Sequence, residues 1–189
     1  MIRDRNIFRQ EYKHAQGWWE DLVFPPSTLN NAVGTPPDVA SDGTLLFAAN
    51  VTEEVFIQAQ MPHKWLEGSE IEPHVHWAKT TSAAGGVVWK IDYDWKNVGE
   101  TYTGSLGTTL ALSDTEGFTN DDTAHKHSIY AADITDATKT VSSIMLIRLY
   151  RDHDDAGDTY GADVKLYQFD IHYMIDQPGS YGEYTKWGV

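Results

Sequence analysis

The sequence predicts an all-β fold, an antiparallel β-sandwich or jelly roll with an extended N-terminal arm and a C-terminal tail. From residue 44 onward, segment after segment alternates apolar and polar residues with a period of two. Turns with glycine or proline separate these segments, in a chain with 15 glycines and 7 prolines. No segment has the period of an amphipathic helix. Roughly eight to ten strands at this spacing are typical of a sandwich or jelly roll.

The chain divides where the alternation begins and ends. Residues 1–43 are predicted to be an arm and an extended connector, because the connector carries four of the seven prolines and no sustained pattern. Residues 44–176 contain the alternating segments and are predicted to be one β-sandwich domain, for which a chain of 189 residues is long enough. Residues 177–189 carry aromatic residues without a period, which predicts a tail.

The strands follow from the alternation in chain order. In VVWKIDYDW, four residues share one face, which is predicted to face the core: Trp89, Ile91, Tyr93 and Trp95. The segment around Gly104 and Gly107 is predicted to be a pair of strands, and the last two segments to be long closing strands. The predicted strand segments are 44–48, 53–60, 71–79, 87–95, 101–112, 125–134, 142–151 and 164–175.

Charge and composition exclude several classes of function. Lys plus Arg number 14 against 28 Asp plus Glu, and the acidic residues are spread along the chain, so the surface repels phosphate backbones and no nucleic-acid partner is expected. The chain has no cysteine, hence no disulfide, thiolate metal site or cysteine nucleophile. No signal-peptide core and no apolar run of about 18 residues occurs, so we expect no membrane partner and synthesis in the cytoplasm.

The segment QMPHKWLEGSEIEPHVHW, residues 60–77, carries the main candidate site. His74 and His76 project from one face of a strand because they are two residues apart. Imidazoles in this arrangement can bind one divalent cation, with His172 as a predicted third ligand and His63 as a fourth. The alternative is a polar strand face without metal, in which these histidines form hydrogen bonds.

A cupin-like metal-dependent enzyme is one alternative function. Gly68-x5-His74-x-His76 has the spacing of the first cupin motif, but that motif's glutamate is absent from residues 77–81 and the second motif has no match. No G-x-S-x-G elbow and no phosphate-binding glycine loop is present either. The sequence therefore predicts a protein that is not an enzyme and needs no cofactor, apart from a possible divalent metal.

The tryptophans suggest two kinds of binding, one to carbohydrate and one to an oligomer partner. A carbohydrate-binding module is the other alternative function, since tryptophans on adjacent predicted strands can stack on sugar rings, although aromatic residues in strands are more often core. In the arm and tail, Trp18, Trp19 and Trp187 are predicted to contact an oligomer partner. Trp18 and Trp19 fit equally well as caps of the core.

The acidic loop 152–158, DHDDAGD, lies between the last two long strands and partly matches an EF-hand calcium loop. Its first and third residues are aspartates and its sixth is glycine, but its fifth is Ala156 and its twelfth is Asp163. Strands, not helices, flank it. The sequence predicts a solvated hairpin loop without calcium.

The chain resembles a family of largely uncharacterised proteins encoded by tailed bacteriophages and prophages. QMPHKWLEGSEIEPHVHW, VVWKIDYDW, IRLYRD and DIHYMID carry the resemblance, which runs from Trp19 to Asp176. It implies a non-enzymatic virion structural protein, assembled in the host cytoplasm, at the head surface, neck or tail, that decorates the capsid or anchors a fibre or tail. The implied partners are further copies in a homo-oligomer, with a trimer as our guess, and other virion proteins of the capsid, tail or fibre.

Overall fold

In a computed structural model, the chain is described over residues 18–30, 34–113, 123–129, 133–184 and 186. These residues form two antiparallel sheets around one core, with no α-helix among them and a single 3-10 turn at Pro26–Thr28. The predicted all-β sandwich is confirmed. No helix in this part of the chain is long and apolar enough to cross a membrane.

Ten strands make up the two sheets. The strands predicted over 71–79 and 164–175 have the bounds that are observed, whereas the predicted strand pair over 101–112 is only half present. Residues 101–107 are irregular and mostly exposed, because they hold too few apolar residues to bury a strand face. The strands are β1 Trp18–Phe24, β2 Asp38–Val39, β3 Leu45–Phe47, β4 Glu54–Gln60, β5 Ile71–Lys79, β6 Val88–Lys96, β7 Thr108–Ser113, β8 Lys126–Ile129, β9 Ile144–Arg151 and β10 Val164–Ile175.

Strand β10 organises the six-stranded sheet, whose order is β2-β3-β10-β5-β8. On one side it pairs with β5 along most of its length, with a register shift between Leu166 and Gln168. On the other side its start pairs with β3 and its second half pairs with β1. The second sheet has four strands in the order β4-β9-β6-β7. One strand therefore connects β1, β3 and β5.

Part of the segment predicted as arm and connector belongs to the sheet. All seven residues of β1 pair with β10, from Trp18 opposite Ile175 to Phe24 opposite Phe169. Trp18 is 70% exposed and Trp19 is 42% exposed, so the interpretation of the two as caps of the core is wrong. Residues 1–17 and Trp187 lie outside the described residues, and contacts of these tryptophans with a partner stay a prediction.

The core lies between the sheets and holds the tryptophans of the central strands. Trp89, Ile91 and Trp95 are buried and Tyr93 packs against them, which confirms the predicted core face. Four tryptophans on or beside the predicted strands were candidates for stacking on a sugar: Trp65, Trp77, Trp89 and Trp95. Trp65 and Trp77 are fully buried as well. These four tryptophans therefore do not form an exposed platform for a sugar.

Basic side chains from the strands form ion pairs with the acidic loop between β9 and β10. Lys90 Nζ lies 2.6 Å from an Asp152 oxygen and 2.8 Å from an Asp155 oxygen. Arg151, fully buried, donates to both oxygens of buried Asp158 at 2.9 and 2.7 Å. The prediction of a solvated loop is therefore wrong for Asp158. The lysine and arginine come from β6 and β9, and their pairing with the loop was not visible in the sequence.

Candidate metal centre

The candidate metal centre lies on the face of the six-stranded sheet that points away from the core. In β5, Ile71, Val75 and Trp77 are core residues, so His74 and His76 project from the opposite face. The same alternation in β10 places Asp170 and His172 on that face. Strand register then brings polar residues of four strands side by side: Asp170 pairs with His74, His172 with Glu72 and Asp21, and His76 with His127.

His74 is the centre of this polar face, yet only 1% of it is exposed. The rings of His172 and His127 approach it edge-on, with centroids 3.8 and 4.5 Å away. Its Nε2 lies 3.6 Å from Glu72 Oε2 and its Nδ1 lies 3.6 Å from Asp170 Oδ1. Both distances exceed hydrogen-bonding range, and neither ring nitrogen has a partner among the described residues. Leaving such buried groups unpaired costs about 1–3 kcal/mol each.

Two more buried atoms beside His74 lack partners in the described structure: His127 Nε2 and Asp170 Oδ1. Together with His74 Nδ1 they come from three adjacent strands, β8, β10 and β5. His74, His127 and Asp170 each offer one ligand atom, and these atoms all lie within 4.8 Å of one another. A zinc ion bound at about 2.0–2.2 Å holds neighbouring ligands about 3.3 Å apart. Small side-chain rotations would therefore bring these atoms to ligand distance.

Two further sets of potential ligands share members with this one. Glu72, His74 and His172 form the second set, and Asp21, Asp170 and His172 form the third, each with ligand atoms within 4.8 Å of one another. His172 Nε2 lies 2.7 Å from Asp21 Oδ1 on β1. The polar face thus extends from β8 across β5 and β10 to β1.

The electrostatics of the site favour the protonation states that bind a cation. Burial, reinforced by neighbouring His172 and His127, lowers the pKa of His74, and burial lowers the pKa of His127 as well. Burial alone would raise the pKa of Asp170, but the hydrogen bond and charge of His76 lower it overall. Near neutral pH the site therefore offers neutral imidazoles and an ionised carboxylate, the forms required of metal ligands.

Among the predicted ligands, the structure brings His74 and His172 together and places His76 beside them. His76 Nδ1 lies 2.9 Å from His125 Nε2, and its Nε2 lies 3.1 Å from Asp170 Oδ2. Both nitrogens are thus engaged, and His76 belongs to none of the three ligand sets. In this arrangement His76 orients Asp170. Metal binding by the predicted histidines stays a prediction.

His63, the predicted fourth ligand, lies elsewhere. Its Nε2 is 2.8 Å from Ser142 Oγ, and its Nδ1 contacts Ser180 Oγ. Ser142 also donates to the backbone oxygen of Glu183 at 2.8 Å. His63 therefore joins the start of β9 to the C-terminal segment, and it belongs to none of the ligand sets described above.

Sequence reasoning missed Asp170, His127 and Asp21 as candidate ligands. A usable signal was present, because Asp170 and His172 are two residues apart, as are His125 and His127, and each pair must share a strand face as His74 and His76 do. The register that aligns these pairs across three strands has no such local signal.

Comparisons with known proteins do not identify the chain. No protein-family model and no curated protein matches it. Among solved structures, a family two carbohydrate esterase from Cellvibrio japonicus matches with a TM-score of 0.44 and 8% identity over 86% of this chain, which spans 36% of that protein. The CBM36-1 domain of a multidomain xylanase from the hindgut metagenome of Trinervitermes trinervoides matches with a TM-score of 0.42 and 9% identity, over 80% of this chain and 96% of that one.

A third solved structure, TmCBM61 in complex with β-1,4-galactotriose, matches with a TM-score of 0.32 and 8% identity, over 84% of this chain and 88% of that one. TM-scores and identities this low do not establish a shared function. The functional argument therefore depends on the residues of this chain.

Proposed function

We propose that the chain is a non-enzymatic structural domain of a tailed-phage particle that binds a divalent transition-metal cation on the outer face of its six-stranded sheet. One observation carries the metal site: His74, His127 and Asp170 on three adjacent strands offer ligand atoms within 4.8 Å of one another, and each has a buried side-chain atom without a partner in the described structure. Two imidazoles and one carboxylate suit zinc or another first-row cation better than calcium or magnesium.

Residues next to these three ligands are placed to form hydrogen bonds with them. A neutral imidazole binds a cation through one nitrogen and keeps a proton on the other. With His74 Nδ1 on the cation, its Nε2–H points to Glu72, whose oxygen is 3.6 Å away. Asp170 Oδ2 accepts hydrogen bonds from His76 and from Gln168 at 3.1 and 3.3 Å, which leaves Oδ1 for the cation. Carboxylates and donors placed in this way orient ligands and raise metal affinity.

The cation would hold together strands that are distant in sequence. Its ligands come from β5, β8 and β10, and β8 ends the described order of this sheet, paired with β5 over four residues. Binding to the folded state alone stabilises a protein by about 2.7 kcal/mol when the free cation is at 100 times its dissociation constant. A structural role for the cation follows from this position.

A direct test measures metal content and affinity for the full chain. The protein is stripped with chelator and titrated with Zn²⁺, with calorimetry and native mass spectrometry as readouts. His127→Ala should abolish tight binding, because it removes one of the three ligands. His153→Ala is the matched control, since His153 lies in the acidic loop, where its Nδ1 is 2.9 Å from Thr52 Oγ1, and it belongs to none of the ligand sets. A wild-type protein that binds no Zn²⁺, or His127→Ala binding as tightly as wild type, would contradict the proposal.

The virion location is supported by the sequence resemblance and fits one surface feature. Trp18 and Trp19 expose apolar area on β1, and exposed aromatic residues are enriched at protein contacts. In the proposed role these tryptophans contact further copies of the chain, as in a trimer, or capsid, tail or fibre proteins. The location is tested by mass spectrometry of particles purified from a host that carries the gene. Absence of the chain from intact particles would contradict it.

Saccharide binding is a second candidate function, and one cavity favours it. A cavity of about 380 Å³ between β6 and the loops before β7 and β9 offers two aromatic side chains, two carboxylates, a lysine and several hydroxyls, the groups that bind a polyhydroxylated ligand. One oxygen of its Asp94 is buried without a partner in the described structure. The lining residues are Tyr93, Asp94, Trp95, Thr103, Ser105, Gly107, Thr108, Ile134, Thr135, Asp136 and Lys139.

A glycan array tests this second candidate. Binding to a defined glycan that Asp94→Asn abolishes would support it, because the substitution removes an acceptor from the cavity without changing its size. Asp38→Asn, a carboxylate on exposed β2 and outside the cavity, is the control. An array without any bound glycan would count against this function and leave the metal site unaffected.

A further inference from the structure

We infer that the polar face binds a second divalent cation, held by Asp21, Asp170 and His172, and that this cation fastens edge strand β1 to the sheet. The inference builds on the proposed function, because the second cation would share Asp170 with the first. The two ligand sets, His74 with His127 and Asp170, and Asp21 with Asp170 and His172, have no other residue in common. In the inferred arrangement both sets are filled at the same time, with Asp170 as the shared ligand.

Geometry supports the second position. The ligand atoms of Asp21, Asp170 and His172 all lie within 4.8 Å of one another, and the Asp21 Oδ1 to His172 Nε2 distance is 2.7 Å. Two ligands of one cation are separated by about 3 Å when each lies about 2.1 Å from it. Binding would replace the 2.7 Å contact between Asp21 and His172 by two bonds to the cation, with release of the imidazole proton where His172 carries it on that nitrogen.

Asp170 is suited to bridge two cations. With Oδ2 accepting from His76 and Gln168, the two cations would share Oδ1, which has two lone pairs. The Asp170 side chain is 4% exposed, so its position is fixed by packing. Cations about 3.5–4 Å apart that share a carboxylate are a recurring arrangement in proteins. The carboxylates also offset most of the added charge, since Asp21, Glu72 and Asp170 supply three negative charges on this face against the four positive charges of two divalent cations.

The two positions differ in exposure, which predicts different affinities. His74 and Asp170 are almost fully buried, whereas Asp21 and His172 have side chains that are 45% and 28% exposed. A more exposed ligand pair is more mobile and better solvated, so the second cation should bind more weakly and exchange faster. Filling should therefore occur in two steps, the buried position first.

The second position gives β1 a link to the sheet that backbone pairing lacks. Among the described strands, β1 pairs only with β10. Side-chain contacts between the same two strands, such as the Glu20 to Tyr173 hydrogen bond of 2.6 Å, add to this pairing. A cation that ligates Asp21 on β1 and two residues of β10 joins the two strands directly. Occupancy would thereby fix the position of exposed Trp18 and Trp19 on β1.

The experiment counts cations and follows β1 in the full chain. Chelator-treated protein is titrated with Zn²⁺ under native mass spectrometry, and hydrogen exchange of residues 18–24 is measured at zero, one and two equivalents. The wild type should bind two Zn²⁺ ions, with exchange of 18–24 slowed at least about tenfold only at the second. Asp21→Asn should bind one and lose this slowing. Glu20→Gln, a carboxylate on the opposite face of β1, should still bind two.

Each other result has a defined meaning. One Zn²⁺ in both the wild type and Asp21→Asn would overturn the inference and leave the proposed metal site intact. Two Zn²⁺ in Asp21→Asn would overturn it as well, because the second ion would then lie elsewhere. No Zn²⁺ in the wild type would overturn the inference and the proposed function together.

Discussion

Asp170 Oδ1 lies 3.6 Å from Nδ1 of His74, directly across the β5 and β10 pair, and neither atom has a hydrogen-bond partner in the described part of the chain. Asp170 Oδ2, in contrast, accepts from His76. One oxygen of the carboxylate is thus held by a neighbour while the other faces an imidazole beyond hydrogen-bonding distance. Two buried polar atoms in this arrangement are expected where a cation joins them.

The first prediction concerns Asp170. Asp170→Asn keeps the size of the side chain but removes its negative charge and replaces one oxygen by an NH2 group that cannot ligate, so Zn²⁺ affinity should fall by at least about 100-fold. Thermal unfolding of the wild type should shift upward with added Zn²⁺, and that of the variant should not. Calorimetry and melting curves measure both effects.

A matched control for this prediction is Asp38→Asn on exposed β2, which should bind Zn²⁺ as the wild type does. Unchanged affinity in Asp170→Asn would show that the carboxylate is not a ligand. Loss of affinity in both variants would mean that the effect arises from total charge and not from the site.

The second prediction concerns pH and the metal-free protein. The pKa of His74 is lowered by burial to about 3, against 6.5 for a free imidazole. Between these values the unfolded chain binds a proton that the folded chain does not, so the free energy of unfolding should fall as the pH falls below about 6.5. The slope for this one group is up to about 1.4 kcal/mol per pH unit.

Urea unfolding with chelator at pH 7.5, 6.5 and 5.5 measures this slope. His74→Gln removes the titrating group, and its stability should depend less on pH over the same range, whatever its absolute stability. A slope that is equal in the wild type and the variant would exclude His74 as the cause.

The sequence was sufficient for much of the fold, for reasons that particular strands illustrate. β5 and β10 were predicted at their observed bounds because their alternation is regular and turns flank them. β1 was missed because the proline-rich residues after it and the mixed pattern before it hide a strand whose partner is β10, about 150 residues away. Period two also placed His74 and His76 on one face, but which face is the core depends on the partner sheet.

The site was predictable only in part. The short-range pattern identifies pairs of residues that share a face, but the ligand set joins His74, His127 and Asp170 through the register of three strands. Register is a property of the assembled sheet. The same reason explains why Lys90 and Arg151 were not predicted to neutralise the acidic loop.

The third prediction concerns Arg151 and Asp158. Both are buried, and Arg151 also donates to the backbone oxygen of Ala162 at 2.8 Å. Arg151→Met would leave the Asp158 carboxylate buried without its partner, which should cost about 3–5 kcal/mol of stability. Urea unfolding measures this loss.

Arg148→Met is the control for this prediction, because Arg148 pairs with Asp92 and Glu54 but is more exposed, and its loss should cost about 1 kcal/mol. In the double variant Arg151→Met with Asp158→Asn, part of the lost stability should return, since no unpaired charge remains. Equal losses for Arg148→Met and Arg151→Met would contradict the buried-charge explanation.

The last prediction concerns the exposed tryptophans of β1. Trp18 and Trp19 follow one another in the strand and so lie on opposite faces, and Trp19 is near the metal face, with its ring centroid 6.3 Å from that of His172. If they contact further copies of the chain, Trp18→Ser with Trp19→Ser should convert a defined oligomer into monomers in native mass spectrometry. Tyr181→Ser, which removes an aromatic side chain that is 87% exposed, is the control and should leave the oligomer intact.

Because neither tryptophan belongs to a ligand set, Zn²⁺ binding at the buried position should be unchanged, which separates assembly from metal binding. A wild-type chain that is monomeric at all concentrations, or a double variant that still assembles, would exclude these tryptophans as the contact.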